Sequence, residues 1–582
     1  MKGFAEYIVG CNGVNLKKES ETAHYLELEH NEGCSDKNVN IKLTKFIKST
    51  LKLDKRYKDL LEIAGYVFAA DRESYRGKED DVEYHHWSRS FHFHINVRDY
   101  NFWNQEKIKH LLNRALCFMT GDHRYQFTFY KEKTDCPTTI FDTEEFVLDT
   151  PDNLRVALFS GGIDSLAGAI ELLETTNAEI CLVSHQSGQP SVKKTQKTVY
   201  EILNELYPNR CKHYKFHCGL SHLKSKDETQ RTRSFLFTAT AFAIAETYNQ
   251  NCIYVFENGI TSLNFAETQD LMNGRASRTT HPQTLGLLEK LFSEIADKPF
   301  SIKVPYVFKT KTEVVEILKT YNRLDLLDSS VSCSTTRDHP AGFTHCGVCS
   351  QCIDRRFAVY ATHAEEYDGD GLYHYNFLKE DLEEDVIKKS LTDYIRLAQS
   401  FANQSQDGFY ISKANEIIEI EEYIEGADED ERVEKLYNLC KKHSLNIENA
   451  ILWMRKKHDS LYAPLKPKSF FNLILGTKIY QQEVVSDKEN ETRKKEIPSR
   501  ELKNIAKEAC ERLINESKIT EVLTETKKKK MISPLIVNEL KKEYEISHSN
   551  ENSISDYFRK LILQIKRDRN GGLIVKENHN YR

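Results

Sequence analysis

The sequence has no apolar run long enough to cross a membrane, little glycine or proline, and little net charge. Its longest strongly apolar stretch, residues 235–245, is broken by threonines and is far shorter than the ~18 residues of a membrane helix. Residues 1–6 lead into a strand-like segment without a signal-peptide core, so we expect a cytoplasmic protein with reduced thiols. With 24 glycines and 12 prolines in 582 residues, fibrous and low-complexity classes are excluded. A formal charge of -6 excludes a polyanion or polycation.

Length and hydrophobic patterning predict several globular domains. Hydrophobic residues make up 39% of the chain, and its length corresponds to three or four domains of about 100–200 residues. Residues 1–150 mix strand and helix patterns, which predicts an α+β domain that can bind a partner. Residues 151–365 alternate apolar strands with helices, which favours a Rossmann-like parallel sheet covered on both faces. Residues 366–492 are mostly helical in pattern.

The end of the chain, residues 493–582, is basic. It carries 21 Lys and Arg against 14 Asp and Glu, a net charge of +7. Its pattern predicts helices over 535–544 and 554–567, then a glycine turn and a strand over 573–576, which is compatible with a small winged-helix module. The basic excess suits contact with nucleic acid or with an acidic protein surface.

The strongest functional signal is Ser160-Gly161-Gly162-Ile163-Asp164-Ser165, the glycine loop, which lies between a predicted strand and a predicted helix. Adjacent glycines let the backbone turn tightly and bring N–H groups near an anion, and the helix N-terminus adds partial positive charge. Ser160 and Ser165 supply hydroxyl donors, and Asp164 is placed to face Mg²⁺ or a water bound to it. The chain has no GxxxxGK[ST] motif, so a Walker-type loop is excluded. The alternative to a phosphate site is a glycine turn that only caps a helix.

Four of the fourteen cysteines fall within twenty positions: Cys333, Cys346, Cys349 and Cys352. In a reducing compartment this clustering indicates metal ligation rather than disulfides. Four thiolates suit a closed, structural Zn²⁺ site, whereas an iron–sulfur cluster uses similar ligands, so both metals stay open. His339 or His345 can substitute for one cysteine. The alternative without metal is four unrelated buried cysteines.

Together, the glycine loop and the cysteines resemble those of the PP-loop, or N-type ATP pyrophosphatase, superfamily. Within it the chain looks like the 7-cyano-7-deazaguanine synthase (QueC) family over about residues 155–360. Further similar segments lie at residues 233–237, 256–259, 309–313, 354–358 and, loosely, 187–189. The chain departs from the family at residues 271–282, which replace a substrate loop rich in Tyr-Pro-Asp-Cys-Arg, and in its large extensions on both sides.

The resemblance implies an ATP-dependent ligase that uses ATP, Mg²⁺ and Zn²⁺. In that family the loop holds pyrophosphate while the carboxylate of 7-carboxy-7-deazaguanine takes AMP. Carried over to this chain, Ser160, Asp164 and Ser165 are implied as catalytic, and the same three residues with Gly161 and Gly162 as the pyrophosphate site. The implied substrate contacts are Arg233, Asn258, Arg278 and Lys311.

The large extensions favour a macromolecular acceptor for the activated acid. They resemble those of enlarged QueC-like proteins in bacterial anti-phage clusters, including QatC and the type IV CBASS relative, in which the acid is joined to a protein amine. The second interpretation is nitrile (preQ0) synthesis with ammonia. The third is a nucleic-acid-binding nucleotide sensor with a degenerate core. The basic tail favours the third interpretation, and the intact glycine loop argues against it.

Overall fold

The structure is a computed structural model, and the residues it describes form the following ranges: 5–17, 20–30, 37–43, 54–76, 88–131, 153–186, 190–221, 226, 231–265, 278–334, 340, 342–382, 385–458, 466–476, 495–496, 502–515, 536–537, 539–540, 544–545, 563–567 and 573–577. Contacts divide the chain into two compact units, one of residues 1–402 with 419–476 and one of residues 403–418 with 477–582. The predicted domain boundaries at 150, 365 and 492 stay predictions.

The first sheet is built from the N-terminal part of the chain. The elements there are β1 (Ala5–Cys11), β2 (His24–Leu28), β3 (Val39–Leu43), α1 (Lys55–Glu73), β4 (Arg89–Val97), α2 (Tyr100–Trp103), α3 (Glu106–Thr120) and β5 (Arg124–Lys131). The strand order is β2-β1-β4-β5, and every pair is parallel. We expected an α+β arrangement for residues 1–150, and this part of the fold is instead α/β. The reason is the connection through α3, which carries the chain back so that β5 starts at the same edge as β4.

The alternating sequence of strand β4 determines which side chains face the core. Its alternate residues from Arg89 to Val97 are buried, whereas His92 and His94 lie between them and are half-buried. The two histidine rings lie 4.1 Å apart on this second face, as strand alternation predicts. Each ring hydrogen-bonds to a hydroxyl of β5, and within the described residues neither belongs to a candidate metal cluster.

The second sheet carries the glycine loop. Its elements are β6 (Leu154–Leu158), α4 (Ile163–Thr175), β7 (Glu179–His185), α5 (Pro190–Leu206), β8 (Cys211–Leu220), α6 (Arg233–Thr247), β9 (Cys252–Tyr254), α7 (Gly259–Leu263), α8 (Pro282–Ala296), β10 (Ser301–Lys303), α9 (Lys311–Thr320) and α10 (Ser350–Ala361). The strand order is β10-β9-β6-β7-β8-β3, and only β3 is antiparallel to its neighbour. The predicted alternation of strands and helices in a parallel sheet is confirmed. Strand β3 joins this sheet from the N-terminal part of the chain, which local sequence pattern does not reveal.

Helices cover both faces of the second sheet. Val156 of β6 packs into one apolar core with α6 and α8, and Ala157 packs into another with α4, α5, α9 and α10. A strand buried on both faces needs apolar side chains in succession, which is the reason for the short apolar run before the glycine loop. The loop therefore leaves the middle of a three-layer α/β structure.

The later part of the chain is mostly helical, as expected. Its elements are α11 (Asp385–Asn403), α12 (Gln406–Ser412), α13 (Ala414–Ile420), α14 (Glu429–His458), α15 (Phe470–Gly476), β11 (Lys495–Glu496), α16 (Leu502–Asn515), β12 (Tyr544–Glu545), β13 (Leu563–Arg567) and β14 (Leu573–Glu577). Short 3-10 turns lie at Leu324–Leu326, Glu365–Tyr367, Asp370–Leu372 and Glu421–Tyr423. No helix in the described ranges combines the length and the apolar character that crossing a membrane requires.

The prediction of a helix over residues 554–567 is wrong for its last five residues. Residues 563–567 form β13, which pairs antiparallel with β14, so the predicted strand at 573–576 is confirmed as its partner. Leu563 and Ile565 alternate with polar residues, and this short alternating run before a glycine turn favours a hairpin over a helix end. The start of that predicted helix, residues 554–562, lies outside the described residues. The predicted helix at 535–544 is described only at 536–537 and 539–540, both helical, and at Tyr544, which begins β12.

Candidate functional site

The glycine loop turns sharply from β6 into α4. Gly161 has φ +85°, in the left-handed region that glycine adopts without a steric penalty. The next residue, Gly162, is the N-cap of α4, and its amide donates to Ser160 Oγ over 3.2 Å. This local geometry brings the N-terminus of α4 to the edge of the sheet where the parallel strands end, the carboxyl edge.

Hydroxyl and amide donors gather at this helix N-terminus. The hydroxyls of Ser160 and Ser165 lie 3.2 Å apart, and Ser165 also donates to the Gly162 carbonyl over 3.0 Å. Within the described residues, the backbone N–H groups of Asp164 and Ser165 have no acceptor. Two free amide donors, two hydroxyls and the positive end of a helix suit an anion such as phosphate.

The structure brings Asp164, Asn258 and Lys311 together. Lys311 forms a buried ion pair with Asp164, and the Asn258 amide donates to Asp164 Oδ1 over 3.4 Å. The three residues follow β6, β9 and β10 along the chain, which are adjacent parallel strands. Their side chains meet because the carboxyl ends of such strands share one edge of the sheet.

Two further carboxyl groups, Glu257 and Asp354, approach the Lys311 ammonium. Burial lowers the pKa of Lys311, but the charges of Asp164, Glu257 and Asp354 outweigh this and raise it. Burial and the charge of Asp164 raise the pKa of Glu257 to about 8. Three carboxyl groups thus face one ammonium, and carboxylate oxygens are the ligands that Mg²⁺ prefers.

A hydrogen bond from the mostly helical part of the chain holds the Asp354 side chain in place. The Tyr394 hydroxyl of α11 donates to Asp354 Oδ1 over 2.7 Å, while the buried Asp354 Oδ2 has no partner within the described residues. Sequence reasoning assigned no role to Glu257, Asp354 or Tyr394. Glu257 directly precedes Asn258 after a strand, which is a usable signal, whereas the approach of Tyr394 depends on how α11 packs.

Lys311 begins α9 with a well-formed cap. The Thr310 hydroxyl and the Glu313 carboxylate cap each other's backbone N–H groups, which is a capping box. Asn446 of α14 donates to Thr310 Oγ1 over 2.9 Å, and Lys442 pairs with Glu313 at 2.9 Å. Lys311 therefore projects from a helix start that a second helix fixes in place.

The four predicted metal ligands converge. The Sγ atoms of Cys333 and Cys349 are 4.0 Å apart, those of Cys346 and Cys352 are 3.9 Å apart, and all four lie within 4.8 Å of one another. A tetrahedral ion with Zn–S bonds of about 2.3 Å places its sulfurs about 3.8 Å apart. These residues could therefore hold one metal ion such as zinc. The separations are too short for a multi-iron cluster, which spreads its cysteines over several iron atoms.

The backbone around the cysteines supports thiolate ligands. Gly347 has φ +85°, and a Cβ there would lie 1.8 Å from the Tyr375 carbonyl oxygen, so this turn requires glycine. Cys349 is the N-cap of α10, and the hydrogen bonds that the four thiols share lower the pKa of Cys349 and Cys346 and raise the pKa of Cys333 and Cys352. His345 is not one of the clustered ligands, because its Nε2 accepts from the Ser332 amide at 3.3 Å. His339 lies outside the described residues.

The contacts of the two predicted substrate arginines are with aromatic side chains and backbone, so their role in substrate binding stays a prediction. Arg233 sits over the Phe237 ring at 5.4 Å, and burial lowers its pKa to about 10. Arg278 sits over the Phe118 ring of α3 at 4.7 Å and reaches the Phe118 carbonyl at 3.5 Å. No contact within the described residues joins either arginine to Asp164 or Lys311. The segments at 187–189 and 271–277 lie outside the described residues.

No known family profile matches the chain, and a search of curated proteins finds no match.

Proposed function

We propose that the chain is an ATP-dependent adenylating enzyme that splits ATP between its α- and β-phosphates at the glycine loop. The observation that carries this proposal is the convergence of Ser160, Asp164, Ser165 and Lys311 at the carboxyl edge of a parallel sheet. A turn that only capped a helix would not need a buried lysine, and a buried lysine is rare unless a partner compensates its charge.

Each group has a role in such a reaction. The amides of Asp164 and Ser165, with the Ser160 hydroxyl, bind the pyrophosphate end of ATP, where negative charge develops as the bond breaks. Asp164 and Glu257 are the carboxyl groups that would hold Mg²⁺, which would screen the phosphate charge. Lys311 supplies a positive charge beside the reacting phosphate. A carboxylate oxygen of the substrate forms a bond to the α-phosphorus, and pyrophosphate leaves.

The proposed substrate is the carboxylate of a 7-deazaguanine acid, with Asn258 among its contacts. This part rests on the resemblance over residues 155–360 to the 7-cyano-7-deazaguanine synthase family. An amine nitrogen then attacks the acyl carbon and AMP leaves. The proposed acceptor is a protein amine in anti-phage defence, because the flanking regions are far larger than an ammonia-dependent synthase needs.

The four cysteines are proposed to hold Zn²⁺ in a structural role. All four positions of a tetrahedral site are filled by thiolates, so no position remains for a substrate or a water. When bound, the ion ties Cys333 to the α10 helix. It would take no part in breaking the phosphate bond.

The test is product analysis by mass spectrometry. Purified protein is incubated with ATP, Mg²⁺ and 7-carboxy-7-deazaguanine, first alone, then with ammonia, then with lysate proteins. We expect AMP and pyrophosphate with the acid present, and a protein carrying the acyl group in the third reaction. A free amide or nitrile as the only product would favour the ammonia reaction. ADP and phosphate, or no ATP consumption, would overturn adenylation.

A further inference from the structure

Residues 330–333, the strap, lie directly against the glycine loop. The Val331 amide donates to the Gly161 carbonyl over 3.0 Å, and the Ile163 amide donates to Ser332 Oγ over 3.4 Å. These two contacts flank Gly162, where an added Cβ would lie only 3.3 Å from the Val331 carbonyl oxygen. The strap thus supports the turn and the first amide of α4.

The other side of the strap is tied to the cysteine cluster. Cys333 is the last residue of the strap, and its Sγ accepts from the Cys346 amide over 3.4 Å. The Ser332 amide donates to Nε2 of His345, the residue just before Cys346, over 3.3 Å. Ser332 therefore contacts the glycine loop through its side chain and the cysteine region through its backbone.

The strap is also fixed where it begins. The buried Arg355 guanidinium donates to Ser330 Oγ over 2.9 Å and to the Leu327 carbonyl over 2.6 Å. Arg355 lies on α10, the helix whose first turn carries Cys352. Once its start is fixed, the position of the strap depends on what holds Cys333.

We infer that the strap couples metal binding at the four cysteines to the shape of the glycine loop, with Ser332 as the positioning residue. An ion shared by Cys333 and the α10 cysteines fixes the end of the strap. Ser332 then holds the Ile163 amide, which leaves the Asp164 and Ser165 amides directed at the anion site. The effect on ligand binding rests on the proposed function, but the effect on loop order does not.

The first experiment needs no ligand. Hydrogen exchange is followed in the peptide of residues 158–166 for the full-length protein, Ser332→Ala, Ser332→Thr and the control Ser329→Ala, whose hydroxyl contacts only Asp328 within the described residues. We expect exchange to rise about three- to tenfold in Ser332→Ala, in proportion to one lost hydrogen bond. Ser332→Thr should restore slow exchange, and metal content should stay equal in all four proteins. Unchanged exchange in Ser332→Ala, or an equal rise in Ser329→Ala, would overturn the inference.

Metal removal is the second arm. After chelation of the full-length protein, we expect faster exchange at residues 158–166 while β4 exchanges as before. Acceleration that also reaches β4 would mean that the metal holds the whole fold, and it would overturn a local coupling. No acceleration after proven metal loss would overturn it as well.

Calorimetry with inorganic pyrophosphate separates this inference from the proposed function. We expect Ser332→Ala to bind pyrophosphate about three- to tenfold more weakly than the unmodified chain. Equal binding by both proteins would overturn the coupling and leave the proposed function standing. If the unmodified chain binds neither pyrophosphate nor ATP while the exchange results hold, the proposed function fails and the coupling stands.

Discussion

Two buried clusters of charged side chains differ in how their charges are compensated. The cluster beside the first sheet contains Asp71, Arg76, Arg89 and Asp122. Arg89 donates to both aspartates, and Arg76 also pairs with both. Two guanidinium groups thus pair with two carboxylates, and a third buried guanidinium, Arg231, donates to the Thr120 carbonyl over 2.8 Å beside them. Although burial alone would raise the pKa of Asp122, the charges of Arg89 and Arg76 hold it well below its ordinary value.

The cluster at the glycine loop is not balanced in this way. Lys311 is paired with Asp164, while Glu257 and Asp354 add carboxyl groups for which the described residues provide no second cation. The pKa of Glu257 is raised by burial and by Asp164, the reverse of the shift at Asp122. A buried charge without a partner is unfavourable. Carboxyl groups that served only to stabilise the fold would therefore be expected to have a cation beside them.

A cluster that stabilises the fold and a cluster that binds a ligand can be told apart by how the described residues compensate their charges. In the first, each charge is satisfied within the chain, so its removal should affect stability. In the second, Glu257 and Asp354 have no second cation and the free amides have no anion among the described residues, so removal should affect binding and catalysis. Five substitutions test this distinction.

The largest expected effect is at the four cysteines, which are proposed to hold a structural ion and so belong with the structural groups. Cys349→Ala should lower the metal content from about one ion per chain to none and should unfold the region around the cysteines while the first sheet stays folded, because structural zinc binding contributes on the order of 10 kcal/mol to the part of the chain that its ligands join. Metal analysis and circular dichroism measure both. Cys117→Ala, outside the cluster, is the control and should keep its metal. A metal-free Cys349→Ala protein of normal stability would refute the structural role.

The second-largest effect on stability is expected for Asp122→Asn. It keeps the shape of the side chain but leaves two guanidinium groups with one carboxylate, which should reduce the free energy of unfolding by about 3–5 kcal/mol. Urea unfolding measures the loss, and ATP turnover per folded molecule should not change. The control is Asp297→Asn, because Asp297 is exposed and pairs with Arg56, so at most about 1 kcal/mol should be lost. Similar losses in both variants would mean that the network is not structural.

Asp164→Asn and Ser160→Ala should show the opposite result. Each should slow ATP cleavage at least about a hundredfold, or ~2.7 kcal/mol in the transition state, because each removes a contact to metal or phosphate. Unfolding in urea should stay within about 1 kcal/mol of the unmodified chain. Pyrophosphate release in the presence of the acid is the measurement. A variant that unfolds but retains its specific activity would place Asp164 with the structural groups.

The sequence predicted those parts of the site that local chemistry encodes. A strand, two glycines and a helix start determine the turn at Gly161, and the cysteine spacing determines which thiols can meet. Lys311 was predicted as a site residue only because its segment resembles a known family. In the structure it forms a buried ion pair with Asp164.

Long-range packing explains what the sequence did not predict. The pairing of β3 with β8 and the approach of Tyr394 to Asp354 join residues 39–43 to 211–220 and α11 to α10. No local pattern records which distant element will cover a face. The strand at 563–567 was missed because a short apolar run suits either a helix end or a hairpin.

The smallest expected effect distinguishes the two clusters by the sign of its pH dependence. The folded chain raises the pKa of Glu257 from 4.5 to about 8. Between these values the folded state retains a proton that the unfolded state has lost, so this group makes stability fall as pH rises. Glu257→Gln mimics the protonated form and removes that fall. The variant should therefore match the unmodified chain near pH 4 and exceed it by roughly 1–3 kcal/mol at pH 8.5. The depressed pKa of Asp122 has the opposite sign, because its stabilisation is complete above the ordinary aspartate pKa and is lost as acid is added. Urea unfolding of Glu257→Gln from pH 4 to 8.5, and of Asp122→Asn from pH 5 down into the acid range below pH 4, decides the matter. If Glu257→Gln is less stable than the unmodified chain at pH 8.5, the Glu257 carboxylate is already compensated and the contrast between the clusters fails.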